Sequence, residues 1–304
     1  MNSQSDAVPE SFDSQGSAPA ALSATRPFYW SVRRELWEYR SIYVAPLAAA
    51  GVYLFGFLIS LIRLPQKMRA LSVLDPAHQH AAVTMPYEFA AGLIMVTTLI
   101  VAVFYCLDTL HGERRDRSIL FWKSMPVSDM TTVLSKAIIP VVVLQLVAFA
   151  VTFATQWIML MLSSVVVLGI GLSVATLWRQ VSLFEMSWML LGHLLIMHGL
   201  WYAPVYAWLL LVSAWARRGA LLWAVLPWLA IFAVEKVAFN TSYFAAMMGR
   251  HFGGSGQGGA SQGMSPIIGV QFSSLGSPGF WIGLVFAAIF LAAAVRLRRY
   301  REPI

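Results

Sequence analysis

Apolar runs recur along this chain, and each is closed by a short polar or charged segment. A run of about 20 residues, wound as a helix, spans the roughly 30 Å hydrocarbon core of a bilayer. The first run covers residues 43–62 and the second 87–107. A third apolar stretch extends over 137–176, and further runs cover 187–214, 221–239 and 280–295. A polar, proline-containing loop, 63–86, carries Arg63, Lys67, Arg69, Asp75, His78 and His80. Arg179 and Glu185 interrupt the chain before the fourth run, and Arg217-Arg218 closes it. A Gly/Ser-rich loop, 249–279, precedes the last run, which ends in a tail with Arg296, Arg298, Arg299 and Arg301. The pattern predicts an all-α, polytopic membrane helix bundle with six transmembrane helices.

The stretch 137–176 is long for one span and short for two plus a turn, and charge decides between them. With six spans and the N-terminus inside, the inner side holds Arg26, Arg33, Arg34, Arg40, Arg114, Arg115, Arg117, Lys123, Lys136, Arg217, Arg218 and the four tail arginines. That is 15 of the 21 basic residues. Arg63, Lys67, Arg69, Arg179, Lys236 and Arg250 fall outside. Splitting 137–176 into a hairpin would export Arg217, Arg218 and the basic tail, against the positive-inside rule. One long, tilted helix is therefore expected, with both termini cytoplasmic.

Residues 27–42 differ from the spans. Tyr29, Val32, Leu36, Tyr39 and Tyr43 recur at helical spacing, with Arg33, Arg34, Glu35, Glu38 and Arg40 between them. This predicts an amphipathic helix lying in the inner interface, flanked by Trp30 and Trp37. Residues 1–26, rich in Ser, Ala and Gln with no apolar centre, read as a disordered cytoplasmic tail. The six-span domain then occupies 43–300, with a cytoplasmic loop at 108–133 and the Gly/Ser-rich loop outside.

Composition agrees. The 304 residues are 59% hydrophobic and 12% charged, against roughly a quarter charged in ordinary soluble domains. The net charge of +7 flanks apolar runs, which favours topology control and lipid headgroups over nucleic acid. Cys106 is the single cysteine and reads as a small core residue.

No catalytic or metal constellation is visible. No phosphate-binding GxxxxGK[ST] loop occurs, nor HExxH, nor GxSxG. His193 and His198 are five apart and do not stack on one helix face. The glycine run at 253–259 has no lysine and reads as a flexible loop. The informative segment is the charged loop. Glu113, Arg114, Arg115, Asp116, Arg117, Ser118 and Lys123 surround Ile119, Leu120, Phe121 and Trp122, too many bulky groups for a solvated turn. An aromatic anchor ringed by charge is the chemistry of a protein docking surface; the alternative is that Phe121 and Trp122 dip into the headgroup zone.

The run Gly112-Glu113-Arg114-Arg115-Asp116-Arg117-Ser118-Ile119-Leu120-Phe121-Trp122-Lys123-Ser124-Met125-Pro126-Val127-Ser128 resembles the cytoplasmic loop after the second span in bacterial ABC transporter permease subunits of the type-2 exporter class. The stretches 200–218 and 222–227 are similar to that family too, and the span order matches over roughly 28–300. The resemblance implies that the loop is a coupling helix seated on a separate ABC ATPase subunit, which holds the ATP and Mg. It further implies an exporter in the inner membrane, assembled as a homodimer or a heterodimer with a related permease. This chain would itself bind no cofactor and hydrolyse nothing. Trp201, Tyr202, Pro204 and Glu235 are candidates for the translocation pathway, with Pro204 and Pro227 expected to bend their spans. Rival readings are a secondary transporter, which lacks the expected internal repeat, a membrane-embedded enzyme, for which only Glu185, His193 and His198 come close, and a membrane anchor subunit of another complex.

Overall fold

A computed structural model describes residues 25–63, 66, 76–118, 127–169, 174–243, 246, 247, 249 and 276–300. Residues 1–24 of the expected tail, nearly all of the 249–279 loop, and Phe121, Trp122 and Lys123 lie outside these.

The described chain is an all-α polytopic bundle in which six helices are long and apolar enough to cross a membrane. Helix α1 (Thr25–Glu38) ends four residues earlier than the periodicity predicts. The chain turns at Tyr39 and Arg40 and enters α2 (Ser41–Leu61). Ile42, Pro46, Ala50, Phe57 and Leu61 form the buried stripe of α2 at near-fourfold spacing. Its opposite face exposes Val44, Leu47, Phe55, Leu58 and Ile62, an arrangement suited to lipid and not to water.

Helix α3 (Pro76–Arg115) is longer than the expected span at both ends. Residues 76–86, read from sequence as loop, are helical. At the other end Thr98, Ala102, Tyr105, Thr109 and Glu113 continue one buried face at steps of three and four. Partners on other helices take up Tyr105, Thr109 and Glu113, so the charged residues extend the helix instead of ending it. Arg117, with φ 58, lies just beyond the stop, in the left-handed region that often closes helices.

Helix α4 (Asp129–Gly169) is one continuous helix of 41 residues, starting eight residues before the expected run. Ser128 caps it, its Oγ accepting the Thr131 N–H at 3.0 Å. The helix widens to a π-helical turn at Ile139–Val143, where Pro140 supplies no N–H to the ladder. The short α5 (Val174–Gln180) and then α6 (Leu183–His193) follow.

The fourth apolar run is broken, not a single smooth helix. After α6 comes a π-helical segment, Leu194–Trp201, then Tyr202 at φ −86 and ψ 0, then α7 (Ala203–Trp215). Pro204 explains the break, since its ring clashes with the carbonyl four residues earlier. Helix α8 (Ala220–Phe239) instead runs through Pro227 as a helix, and α9 (Pro278–Tyr300) closes the chain.

Helices α3 and α4 form the centre. In its most apolar window α3 is 56% buried, against 11% for α8. Helices α2, α8 and α9 are peripheral and display apolar side chains outward. Helix α7 packs against α3 and α9, α2 against α3 and α4, and α1 against the start of α4. One pole of the bundle thus gathers α1, the end of α3, the beginning of α4, the end of α7 and the end of α9.

Candidate functional site: a buried ion cluster at one pole

At that pole six charged side chains, drawn from four helices, interlock. Lys136, on the first turns of α4, is fully buried. Its Nζ donates to Glu35 Oε1 at 2.7 Å and to Thr109 Oγ1 at 2.7 Å, and stands 3.1 Å from Glu113 Oε1. All three ammonium protons therefore have acceptors. Glu35, on α1, uses its other oxygen to accept from the Tyr105 hydroxyl at 2.9 Å and from Thr109 Oγ1 at 3.2 Å. Glu113, near the end of α3, accepts from Arg34 Nη2 at 2.9 Å through Oε1 and from Arg298 Nη1 through Oε2. Arg298, near the end of α9, also donates Nε to Asp129 Oδ1 at 3.1 Å.

Three carboxylates (Glu35, Glu113, Asp129) face three cations (Arg34, Lys136, Arg298), and at the rim the exposed Glu38 adds a fourth carboxylate 3.2 Å from Arg34 Nε. Burying charge is costly unless pairing and hydrogen bonding are nearly complete, and here they are. Arg34 sits at the cluster's wet edge. Burial works against its charge, but Glu35 and Glu113 outweigh that and raise its pKa above the ordinary value. The Tyr39 phenol is raised as well, by burial first and then by Asp108 and Glu35; its hydroxyl donates to Asp108 Oδ2 at 3.4 Å.

A second set of bonds ties α3 to the end of α7. Ser213 Oγ accepts the N–H groups of Leu110 and His111 and donates to the Leu107 carbonyl at 2.8 Å. Arg114 Nη1 donates to the Ala214 carbonyl at 2.8 Å, and His111 Nδ1 lies 3.1 Å from the Ala216 carbonyl. The outer side of α1 is aromatic and cationic, with Arg33 over the rings of Trp30 and Trp37.

The candidate docking residues divide accordingly. Glu113 and Arg114 are buried and bound within the chain, so neither is offered to a partner. Arg115, Asp116 and Arg117 are exposed and Ser118 is half-buried. Arg115 and Asp116 pair with each other at 3.1 Å. Sequence reasoning overlooked Glu35, Lys136 and Arg298 as interior groups. One signal was available: Glu35 lies on the α1 stripe, three residues after Val32 and four before Tyr39.

The pathway candidates do not form one group. Trp201 stacks on Phe280 at 6.2 Å, Tyr202 lies 5.8 Å from the His198 ring, and Pro204 approaches Gly283 of α9. Glu235 lies apart, far along α8, where residues 228–240 are otherwise exposed. It accepts from Thr241 Oγ1 at 3.1 Å beside a shallow apolar groove lined by Ala230, Ile231, Val234 and Phe239. Among the described residues no group of three or more His, Cys, Asp or Glu side chains could hold a metal ion. Comparison of the chain with protein-family models, with curated proteins and with solved structures finds no match.

Proposed function

We propose that this chain is the membrane-spanning permease subunit of an ATP-binding-cassette transporter, an exporter driven by a separate ATPase subunit that docks at the charged pole. The observation that carries the reading is the ion cluster itself. It fastens α1 to the two helices that flank residues 116–128 and to the end of α9, so a push on that loop is delivered to several spans together. A docking loop on a loosely held helix end would dissipate such a push; one rooted in a buried ion cluster transmits it as a rigid lever. The bulky run Ile119, Leu120, Phe121 and Trp122 supplies the apolar anchor, and the exposed Arg115, Asp116 and Arg117 supply its charged rim. In this reading the pole is cytoplasmic, and two copies pair around the substrate pathway.

The test is affinity purification of the full-length protein from its host in mild detergent. A stoichiometric ABC ATPase should accompany it and should be lost in Phe121→Ala/Trp122→Ala. Retention of other membrane complexes with no ATPase in the eluate would rule the reading out.

A further inference from the structure

Helix α1 turns one face to the bundle and the other away from it. The inner face is fixed. Glu35 is bonded to Lys136 and to Tyr105, and Val32, Leu36 and Tyr39 pack against the core that α3, α4 and α7 share. These contacts lock the rotation of α1 about its own axis. The opposite face is therefore held outward. It carries Trp30, Arg33 and Trp37, at steps of three and four that set them in one row.

Two properties set that row apart. Its aromatic groups are large and exposed: Trp37 by 66%, Trp30 by 56% and the neighbouring Tyr29 by 59%. Between them the Arg33 guanidinium lies 5.1 Å from the centre of the Trp30 ring and 4.7 Å from that of Trp37, where the negative faces of both indoles attract it. The second property is pairing. The adjacent Arg34 reaches three carboxylates, Glu35, Glu38 and Glu113. Arg33, and the exposed Arg40 in the turn after α1, form no ion pair among the described residues.

Position decides what such a surface meets. Trp37 stands one helical turn before Ser41, where the first membrane-spanning helix begins. Past the turn, α2 shows Tyr43, Val44 and Leu47 to the outside. This end of the row thus lies where hydrocarbon gives way to headgroups. Indole rings concentrate at that level, being apolar in body and polar at one edge. Cations beside it attract anionic headgroups. A helix facing only water would gain nothing from three exposed aromatic rings.

We propose that the outer face of α1 is a binding surface for anionic phospholipid. Trp30 and Trp37 seat in the headgroup layer, and Arg33 and Arg40 contact lipid phosphate. The Arg33 guanidinium, flanked by the two rings, keeps its N–H donors for phosphate oxygens. Lipid and ion cluster then grip α1 from opposite sides. The inference stands on α1 and the start of the first span, and needs no ATPase partner.

The test reconstitutes the full-length protein in bilayers of equal phosphatidylglycerol and phosphatidylcholine, with one lipid or the other carrying a photoactivatable group near its headgroup. Crosslinks are mapped by mass spectrometry. Residues 27–40 should label several-fold more with phosphatidylglycerol than with phosphatidylcholine. Arg33→Gln/Arg40→Gln should lower the phosphatidylglycerol yield there by about fivefold or more, and labelling of 41–61 should not follow. Equal labelling of 27–40 by the two lipids in the wild-type protein overturns the inference, and that comparison needs no variant to fold. Absence of label from either lipid also overturns it, since the face would then belong to water or to a protein. Excess inorganic phosphate at matched ionic strength should not compete; if it abolishes the preference, the surface takes a free anion and the lipid assignment fails.

Discussion

Lys136 Nζ lies 2.7 Å from Glu35 Oε1, an ion pair between residues 101 positions apart. It joins a helix that precedes the first span to the base of the third. Both side chains are almost wholly buried, so the pair does not work as a surface salt bridge that ions in solution would screen.

Removing one member of such a cluster leaves the others uncompensated. Lys136→Met should destabilise the protein by about 3–5 kcal/mol, because Glu35 and Glu113 both lose their shared cation. Adding Glu35→Gln to that variant removes one stranded charge. The double variant should therefore unfold nearer to wild type than the two single effects added together predict. Thermal unfolding of the four proteins in one detergent checks the coupling.

Arg298 fastens the end of α9 to Glu113 and Asp129. Arg298→Gln should release the last two turns of that helix. Hydrogen exchange over residues 292–300 should accelerate while exchange at 98–106 stays unchanged. Faster exchange throughout α3 would mean that the contact supports the whole bundle and not one end.

Gly199 and Gly283 mark close approaches of different severity. A methyl group at 199 meets a backbone carbonyl that cannot step aside; at 283 it meets Pro204 Cγ at 3.2 Å; at Gly92 it meets nothing within 4 Å. Gly199→Ala should cost at least about 1–3 kcal/mol as overpacking, Gly283→Ala less, and Gly92→Ala should be tolerated. The ranking of thermal midpoints is the measurement.

Arg115 and Asp116 are exposed on both side chains. Arg115→Ala and Asp116→Ala should each alter folding stability by no more than about 0.5 kcal/mol. If the loop docks an ATPase, the same changes should weaken its capture. A loss of capture with unchanged unfolding separates a docking role from a structural one, and unchanged capture in both variants would take the charged rim out of the interface.

The spans were legible because hydrophobicity in a bilayer is a local property that any window of residues declares. The charge balance of the loops spoke against a hairpin within 137–176; α4 is continuous from Asp129 to Gly169, seven residues short of the expected end, and 170–173 lie outside the described residues. The ends of the helices were not legible. Glu113 and Arg114 read as charges of a docking loop, because nothing near them in sequence reveals Lys136, Arg298 or the Ala214 carbonyl. The same holds for Arg298, which reads as one arginine of a topogenic tail. The break at Tyr202 was half legible: Pro204 signals a bend, but the preceding π-helical turn depends on the fit of Gly199 against Val141.

The order in which the cluster's members leave the ribosome also matters. Arg34 and Glu35 emerge first, Glu113, Asp129 and Lys136 follow, and Arg298 comes almost last. During synthesis Glu113 and Asp129 must wait, through 185 and 169 further residues of growing chain, for the arginine that completes them. Until then both carboxylates lack that cation. Arrival of the final helix supplies it.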